Sequence, residues 1–515
     1  MPAALHPPQT STLSLPQTET AQPKALKLTR VAYGHLLISA VLVLLGTLYL
    51  LSIQQGFPWG DDYALYFAHA QNLAGGHSYS ATGYLYNPAE PEIGPPAYPP
   101  LLPILLAPVF RVAGYNPQLL KLDGILLLLA ALWAISRYLR HFLPPGYTAI
   151  ILLVLGLSPY CSKYLTNSPA SDIPFLCLFF LLLERLLVAS RTHWKKRSDA
   201  IWIGVLLYLC CACRTIGVIL FPCLLAAELI RASAPSRRFA LPRGLWISVA
   251  IGGIGAAVQG WLLPGQQAYL HMLNFELPTL IEYVKAYAWS VRYKLFAVPG
   301  VSGWLLLLLL AALGLLGFFL TLRSGAAFPQ IFTVIYLAMI GIWTVDQDLR
   351  FLLPVLPLWL LDCCEAIFWL QRRKGFPKAV AAGALGAILI LYAPHVGHTP
   401  AGAVPDLRTA GTNSRGFQEI AGFVRENTSP EARIVFSKPK LLAFFTGRQC
   451  VVYPKTDAQA IIEYLKSIHA DYLVASRAFD SDRTLLFPLA SEQPNLLEPV
   501  YQSNDAAVFR VRVRE

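Results

Sequence analysis

Charge is what this chain has least of. Only 14% of its 515 residues are Asp, Glu, Lys or Arg, where a soluble protein of that length carries about a quarter. The deficit excludes an ordinary water-soluble fold, because 55% of the residues are hydrophobic and there are too few polar ones to cover them. A cysteine framework is also missing. Seven of the nine cysteines (Cys177, Cys210, Cys211, Cys213, Cys223, Cys363 and Cys364) sit in apolar runs, and Cys450 stands alone near the C-terminus. Such cysteines act as small hydrophobes, and their spacing matches neither a disulfide scaffold nor a metal site. No internal repeat is evident. The formal charge of +12 would fit nucleic acid if it were gathered on one face. Instead the basic residues cluster in short loops between apolar runs, the pattern that orients membrane helices.

Runs such as LLISAVLVLLGTLYLLSI and WLLLLLLAALGLLGFFLTL match the roughly 20 apolar residues that a helix needs to cross a bilayer core of about 30 Å. In lipid the backbone must satisfy its own hydrogen bonds, so each run reads as a helix. Eleven are expected, near 31–53, 118–137, 146–160, 172–190, 199–213, 214–231, 244–263, 301–322, 327–345, 350–370 and 377–395. With the N-terminus in the cytoplasm, Arg137/Arg140, Arg191–Lys195–Lys196–Arg197, Arg231/Arg237/Arg238/Arg243, Arg323 and Arg372/Arg373/Lys374/Lys378 all fall on the cytoplasmic side. The fold class is thus an all-α polytopic membrane protein of about eleven transmembrane helices with a small C-terminal extracytoplasmic α/β domain. Residues 1–28 read as a disordered cytoplasmic tail rich in Pro, Gln and Thr, 29–395 as the transmembrane domain and 396–515 as the α/β domain. In the last, ARIVFS, CVVYP and DYLVAS have strand character, while EIAGFVREN and AQAIIEYLKSI are amphipathic helices.

Three outer segments remain: 54–117, the aromatic 264–300, and the tail. The first holds two amphipathic stretches, GDDYALYFAHAQNLAGG and YPPLLPILLAPVFRVAG. The second of these is too short and too rich in proline to span, and belongs along the interface as an amphipathic or re-entrant element. Asp61 and Asp62 are adjacent carboxylates just beyond a membrane helix. Asp61 suits a cap for the following helix, and the pair equally suits a general base with an orienting neighbour. Asp172, in SPYCSKYLTNSPASDIPFL, has the same double reading, as a helix cap or as an ionisable group at a membrane boundary. Arg214 lies between helices of about 16 residues, roughly 24 Å long, which places it below the membrane surface; snorkelling is the competing explanation. Arg350, in DQDLRFLLPVLP, suits either a local ion pair or a phosphate. Lys163 and Tyr164 lie beside Asp172, and Tyr63 and Tyr98 flank the acidic loop as candidate cavity residues. His69 and His77 lack a metal partner at ligand spacing and read as interface residues.

Taken in order, the acidic pair, the YPPLLPILLAPVFRVAG stretch, YLTNSPASDIPFL and DLRFLLPVLP resemble the polytopic C-type glycosyltransferases, especially the protein O-mannosyltransferase and aminoarabinose-transferase branch (glycosyltransferase family 39-like). The resemblance implies a polyprenyl-phosphate sugar donor, a hydroxyl acceptor and inversion at the anomeric carbon. It makes Asp61 the base, with Asp62 standing where Glu is usual and Asp172 matching an outer acidic position. Relatives carry a basic residue near the proline-rich segment, whereas GPPAYPP has none. Phosphate contact then falls to Arg350, Arg214 or Lys163. No cofactor is required on this reading, although paired acids could hold a divalent cation. The expected setting is a multi-pass plasma (inner) membrane, with membrane lipids around the chain and no nucleic-acid partner. The competing classes are a non-catalytic lipid-headgroup binder or flippase, a secondary transporter, whose repeated halves are not seen, and an O-antigen ligase or polymerase, whose chemistry would sit in a large late outer loop.

Overall fold

A computed structural model describes residues 24–233, 241–263, 277–296, 300–323, 327–343, 348–374 and 406–512, with isolated positions between 265 and 298. Its first part is helical: α1 (Lys24–Leu51), α2 (Asp62–Gly75), α3 (Leu101–Ala113), α4 (Pro117–Leu139), α5 (Pro145–Gly156), α6 (Asp172–Arg191), α7 (Arg197–Cys213), α8 (Leu220–Ala232), α9 (Arg243–Leu262), α10 (Leu277–Ser290), α11 (Gly300–Arg323), α12 (Ala327–Gly341), α13 (Leu349–Leu352) and α14 (Leu356–Lys374). Among the described residues six helical stretches are long and apolar enough to cross a membrane: 32–51, 117–139, 172–191, 215–232, 243–262 and 300–323. Large apolar side chains on them face outward, including Leu51, Ile254, Trp261 and Leu308, as lipid contact requires and water would penalise. The molecule is a polytopic helical membrane fold carrying a small C-terminal sheet.

Local sequence accounts for departures from unbroken helices. The stretch 214–231, expected as one helix, begins with Arg214 in extended conformation and a tight turn over Thr215–Ile219. Gly217 permits that turn, because a Cβ there would meet the Cys210 backbone at 2.7 Å. The expected helix 350–370 is two pieces, α13 and α14, interrupted around Pro354, which has no amide to donate. The loop 264–300 contains α10, and α1 reaches back past its apolar run to Lys24. The expected helix 377–395 and most of the N-terminal tail lie outside the described residues.

The C-terminal part contains α15 (Arg415–Asn427), β1 (Arg433–Val435), α16 (Pro439–Thr446), β2 (Gln449–Val451), α17 (Ala458–Ser467), β3 (Tyr472–Ser476), α18 (Phe487–Glu492), β4 (Leu497–Gln502) and β5 (Ala506–Val511). The sheet order is β2-β1-β3-β5-β4; β1 runs parallel to β2 and β3, while β5 is antiparallel to β3 and β4. Alternate strand residues face opposite sides. Val435, Leu473, Ala475 and Phe509 pack with Ile461 and Leu465 of α17. On the other side Ile434, Val474 and Val508 join Phe57, Phe67, Leu106 and Phe110 of the outer loop in one buried cluster.

That shared cluster joins the two parts as a core does, since each fully buried large apolar side chain contributes about 1.5–3 kcal/mol. Backbone pairing reinforces the joint. The Cys450 amide donates to the Gly83 carbonyl and the Leu85 amide to the Cys450 carbonyl, both at 2.8 Å, which covers the free edge of β2. Phe57 and Thr412 exchange bonds of 2.9 Å. Gly411, at φ +62°, brings its backbone against the Phe57 carbonyl, where a Cβ would collide.

Candidate functional site

Where the outer loop, the start of α6, the α7–α8 junction, α12 and α13 meet, a cavity of about 240 Å³ opens. Asp62, Tyr98, Arg214, Arg350, Tyr66 and Tyr269 are among its lining residues. Each polar group arrives at an element boundary. Asp62 opens α2, Asp172 opens α6, Arg214 follows α7, and Arg350 lies on the one-turn α13. Helix ends leave backbone groups and side chains free to turn inward, whereas helix middles at membrane depth do not.

Arg350 is the centre of the arrangement. Its Nη1 donates to Asp62 Oδ2 at 2.7 Å and its Nε to Asp172 Oδ2 at 2.5 Å. Arg214 pairs with the other oxygen of Asp172 and lies 5.2 Å from the Phe351 ring centroid. The turn holding α13 is tethered by the Lys294–Asp348 ion pair. Asp172 is only 2% exposed, whereas the Asp62 side chain is 37% accessible and lines the cavity. The second Asp62 oxygen accepts from the Tyr98 hydroxyl at 2.5 Å and from Lys440 Nζ at 3.2 Å. Burial pushes the Asp62 carboxyl up, but Lys440, Arg350 and the Tyr98 hydrogen bond outweigh it and hold the group well below the usual carboxylate range. The charged residues of the lining are Arg214 and Arg350 against Asp62 and Glu92, and Glu92 is paired with Lys455 at 2.9 Å. The two guanidiniums are the groups there that can meet an anionic ligand.

Asp61 is placed differently from the expected base. Its side chain does not cap α2. It reaches instead to the start of α16, accepting from the Leu441 amide at 2.8 Å and the Lys440 amide at 3.4 Å, and it is not among the cavity-lining residues. Two adjacent residues at a helix start point about 100° apart, so one acid can face the cavity and the other the α/β domain. Burial raises the Asp61 carboxyl, more than Lys440, Lys438 and the Leu441 amide lower it. Tyr98 lines the cavity, but Tyr63, Tyr164 and Lys163 do not. The Tyr63 hydroxyl donates to the Pro58 carbonyl at 3.0 Å, with its ring stacked on Phe57. Tyr164 stacks on Tyr160 at 5.1 Å. His69 is fully buried rather than interfacial: its Nε2 accepts the Tyr98 amide at 3.2 Å and its Nδ1 donates to the Tyr79 carbonyl at 2.7 Å. Among the described residues no group of three or more His, Cys, Asp or Glu is arranged to hold a metal ion, and the space between Asp62 and Asp172 is filled by the Arg350 guanidinium.

No family model matches the sequence, and no curated protein matches it either. Solved structures do. The archaeal oligosaccharyltransferase AglB from Archaeoglobus fulgidus, in complex with an inhibitory peptide and a dolichol-phosphate, superimposes with a TM-score of 0.55 at 11% identity, over 85% of this chain and 69% of that one. ArnT from Cupriavidus metallidurans in the apo state gives a TM-score of 0.54 at 13% identity, over 93% of this chain and 98% of that one. The arabinofuranosyltransferase AftD from Mycobacteria gives 0.50 at 13% identity, over 93% of this chain and 42% of that one. The chain shares the fold of these neighbours, which are polytopic C-type glycosyltransferases.

Several polar residues at the site are not legible in the sequence, among them Tyr66, Glu92 and Tyr269 of the lining and, most telling, Lys440. Lys440 comes from the α/β domain, is 2% exposed, and lies 378 positions from Asp62. The only signal was local, a lysine on each side of Pro439 between a strand and a helix, and that reads equally well as a solvated turn.

Proposed function

We propose that this protein is an inverting membrane glycosyltransferase that moves a sugar from a polyprenyl-phosphate donor to a hydroxyl acceptor, with Asp62 as general base. The observation that carries the reading is the Asp62–Arg350–Asp172–Arg214 chain at the cavity. The acceptor oxygen attacks the anomeric carbon while Asp62 takes its proton. The bond from that carbon to the phosphate oxygen breaks on the opposite face, and polyprenyl phosphate leaves as an anion. A leaving phosphate needs positive charge more than it needs an acid, and an arginine meets it with a planar fork of donors. Arg350 and Arg214 supply that charge, Asp172 holds both in place, and turnover on this reading survives chelation of divalent cations. The arrangement of basic loops supports a site on the extracytoplasmic face of a plasma (inner) membrane.

The depressed acidity range of Asp62 makes it a poor base while Arg350 and Lys440 both face it. A donor phosphate that engages Arg350 draws positive charge away from Asp62 Oδ2 and raises its basicity as the acceptor arrives. The test is transfer of radiolabelled sugar from polyprenyl-phosphate donors by the purified protein in lipid. Release of label that requires the lipid donor supports the reading; turnover of nucleotide sugars alone overturns the donor assignment.

A further inference from the structure

We infer that the C-terminal α/β domain completes the catalytic site, with Lys440 as the positioning residue that sets the orientation and charge state of the Asp62 carboxylate. This rests on the reading of Asp62 as the base. Two neighbouring acids of the outer loop are met by two neighbouring residues of the domain. Asp61 accepts the amides of Lys440 and Leu441 at the first turn of α16, a favourable place for a carboxylate because of the unpaired amides there. That contact brings the Lys440 side chain over Asp62. Its Nζ donates to Asp62 Oδ1 at 3.2 Å, to the Tyr98 hydroxyl at 2.6 Å and to the Ile93 carbonyl. The ammonium also lies 4.8 Å from the Tyr98 ring centroid and 5.5 Å from that of Tyr84.

A lysine this deeply buried needs a counter-charge, and Asp62 is the one carboxylate within ion-pair distance of it among the described residues. The geometry divides the work of the two Asp62 oxygens. Oδ1 is held by Lys440 and Tyr98, while Oδ2 faces Arg350. When the donor phosphate takes Arg350, Oδ2 is the oxygen released to accept a proton, and Lys440 keeps the carboxylate plane fixed during the exchange. Asp61, expected from sequence to be the base, serves instead to dock the domain that carries the lysine.

The test compares full-length native protein with K440M, K440Q and D62N in lipid, using the labelled donor over a range of pH. K440Q keeps hydrogen-bonding capacity towards Tyr98 and the Ile93 carbonyl, and so guards against loss of fold. Both lysine variants are expected to lower kcat by about 10- to 100-fold, with donor KM changed by less than about threefold. The acid limb of kcat/KM should move to higher pH, because a carboxyl relieved of its cation protonates more readily. A folded K440Q with native kcat and a native acid limb overturns the inference, as does a variant whose whole defect is in donor KM, since the lysine would then serve the phosphate. D62N separates the two layers. Retained turnover in D62N removes the base and with it the role of Lys440, whereas an inactive D62N beside a native-like K440Q removes the role of Lys440 alone.

Discussion

Replacing Asp172 by Asn keeps the size of the side chain and removes the charge that two arginines share. Asp172 is 2% exposed, accepts Arg350 Nε at 2.5 Å and pairs with Arg214. At a separation of about 4 Å and an effective dielectric constant of about 20, each attraction is worth roughly 4 kcal/mol. Two are lost, and Arg214 and Arg350 are left facing each other with Asp62 as the remaining carboxylate. Part of that loss returns, because the neutral Asn no longer carries the desolvation cost of a buried anion. Truncating one partner of a buried pair costs about 3–5 kcal/mol in practice, and D172N is expected to fall in that range. A phosphate then has more to offer the variant than the native protein, since it supplies the missing negative charge without displacing a carboxylate. Any ligand at 100 times its Kd stabilises by about 2.7 kcal/mol, and each further 1.4 kcal/mol of preference tightens Kd about tenfold. The assay is thermal unfolding followed by tryptophan fluorescence, with and without polyprenyl phosphate. D172N should melt lower than native alone and gain more from the lipid phosphate. An unchanged Tm together with an unchanged gain would refute the claim that Asp172 holds both arginines in a phosphate site.

The acidic pair should separate by function: D62N loses about 10²-fold or more in kcat, whereas D61A keeps most of its turnover and loses about 0.5–2 kcal/mol of stability with the helix cap, read by labelled transfer and by melting. Stability should depend on pH through His69, whose burial pushes its pKa from 6.5 down to about 4. The unfolded chain takes the proton first, so the contribution is complete above pH 6.5 and is lost between there and about pH 4, by roughly 3 kcal/mol; H69N should flatten the melting profile over that window. Lys121 is 1% exposed and donates to the carbonyls of Gln54 and Gly56 and to Asn167 Oδ1. K121M should therefore cost about 1–3 kcal/mol for each acceptor left unsatisfied and lower Tm without altering donor KM in what remains folded. Incubation with a chelator of divalent cations should leave kcat unchanged, measured with the same labelled donor.

The sequence reached the site to the extent that the physics is local. A helix that must span lipid announces itself in about 20 consecutive residues, and any charge at its end is conspicuous against that background. Asp172, Arg214 and Arg350 were found this way, and the structure brings them into contact. The choice between Asp61 and Asp62 was not legible, because it turns on the phase of α2 against two different surfaces. Nor was Lys440. Its role exists only once β1 and α16 dock on the outer loop, and lysines beside a turn are ordinary surface residues until something covers them. The boundary at Arg214 was legible, but the tight turn over Thr215–Ile219 that follows it and the break around Pro354 were not: both stretches are apolar enough to read as continuous helix, and the first turn depends on the close backbone approach that Gly217 allows.

The pairing of Arg350 with two carboxylates has a consequence for fidelity. A base held ready beside a wet cavity would activate water as readily as an acceptor hydroxyl, and the donor would be hydrolysed. On the proposed mechanism the base is masked in part by the same cation that the donor engages, Nη1 of Arg350 lying 2.7 Å from Asp62 Oδ2. Donor binding and base activation are then one exchange of partners at a single guanidinium. An Arg350→Gln variant breaks the coupling in a defined direction. It weakens donor affinity, since one of the two arginine contacts to the phosphate is gone, while Asp62 keeps Lys440 but loses the charge at Oδ2 and becomes more basic without the donor. Transfer per turnover should fall in this variant and hydrolysis of the donor to free sugar should rise as a fraction of the donor consumed, both measurable from the same labelled reaction. A variant that slows transfer and hydrolysis in equal proportion would show that Arg350 serves the phosphate alone.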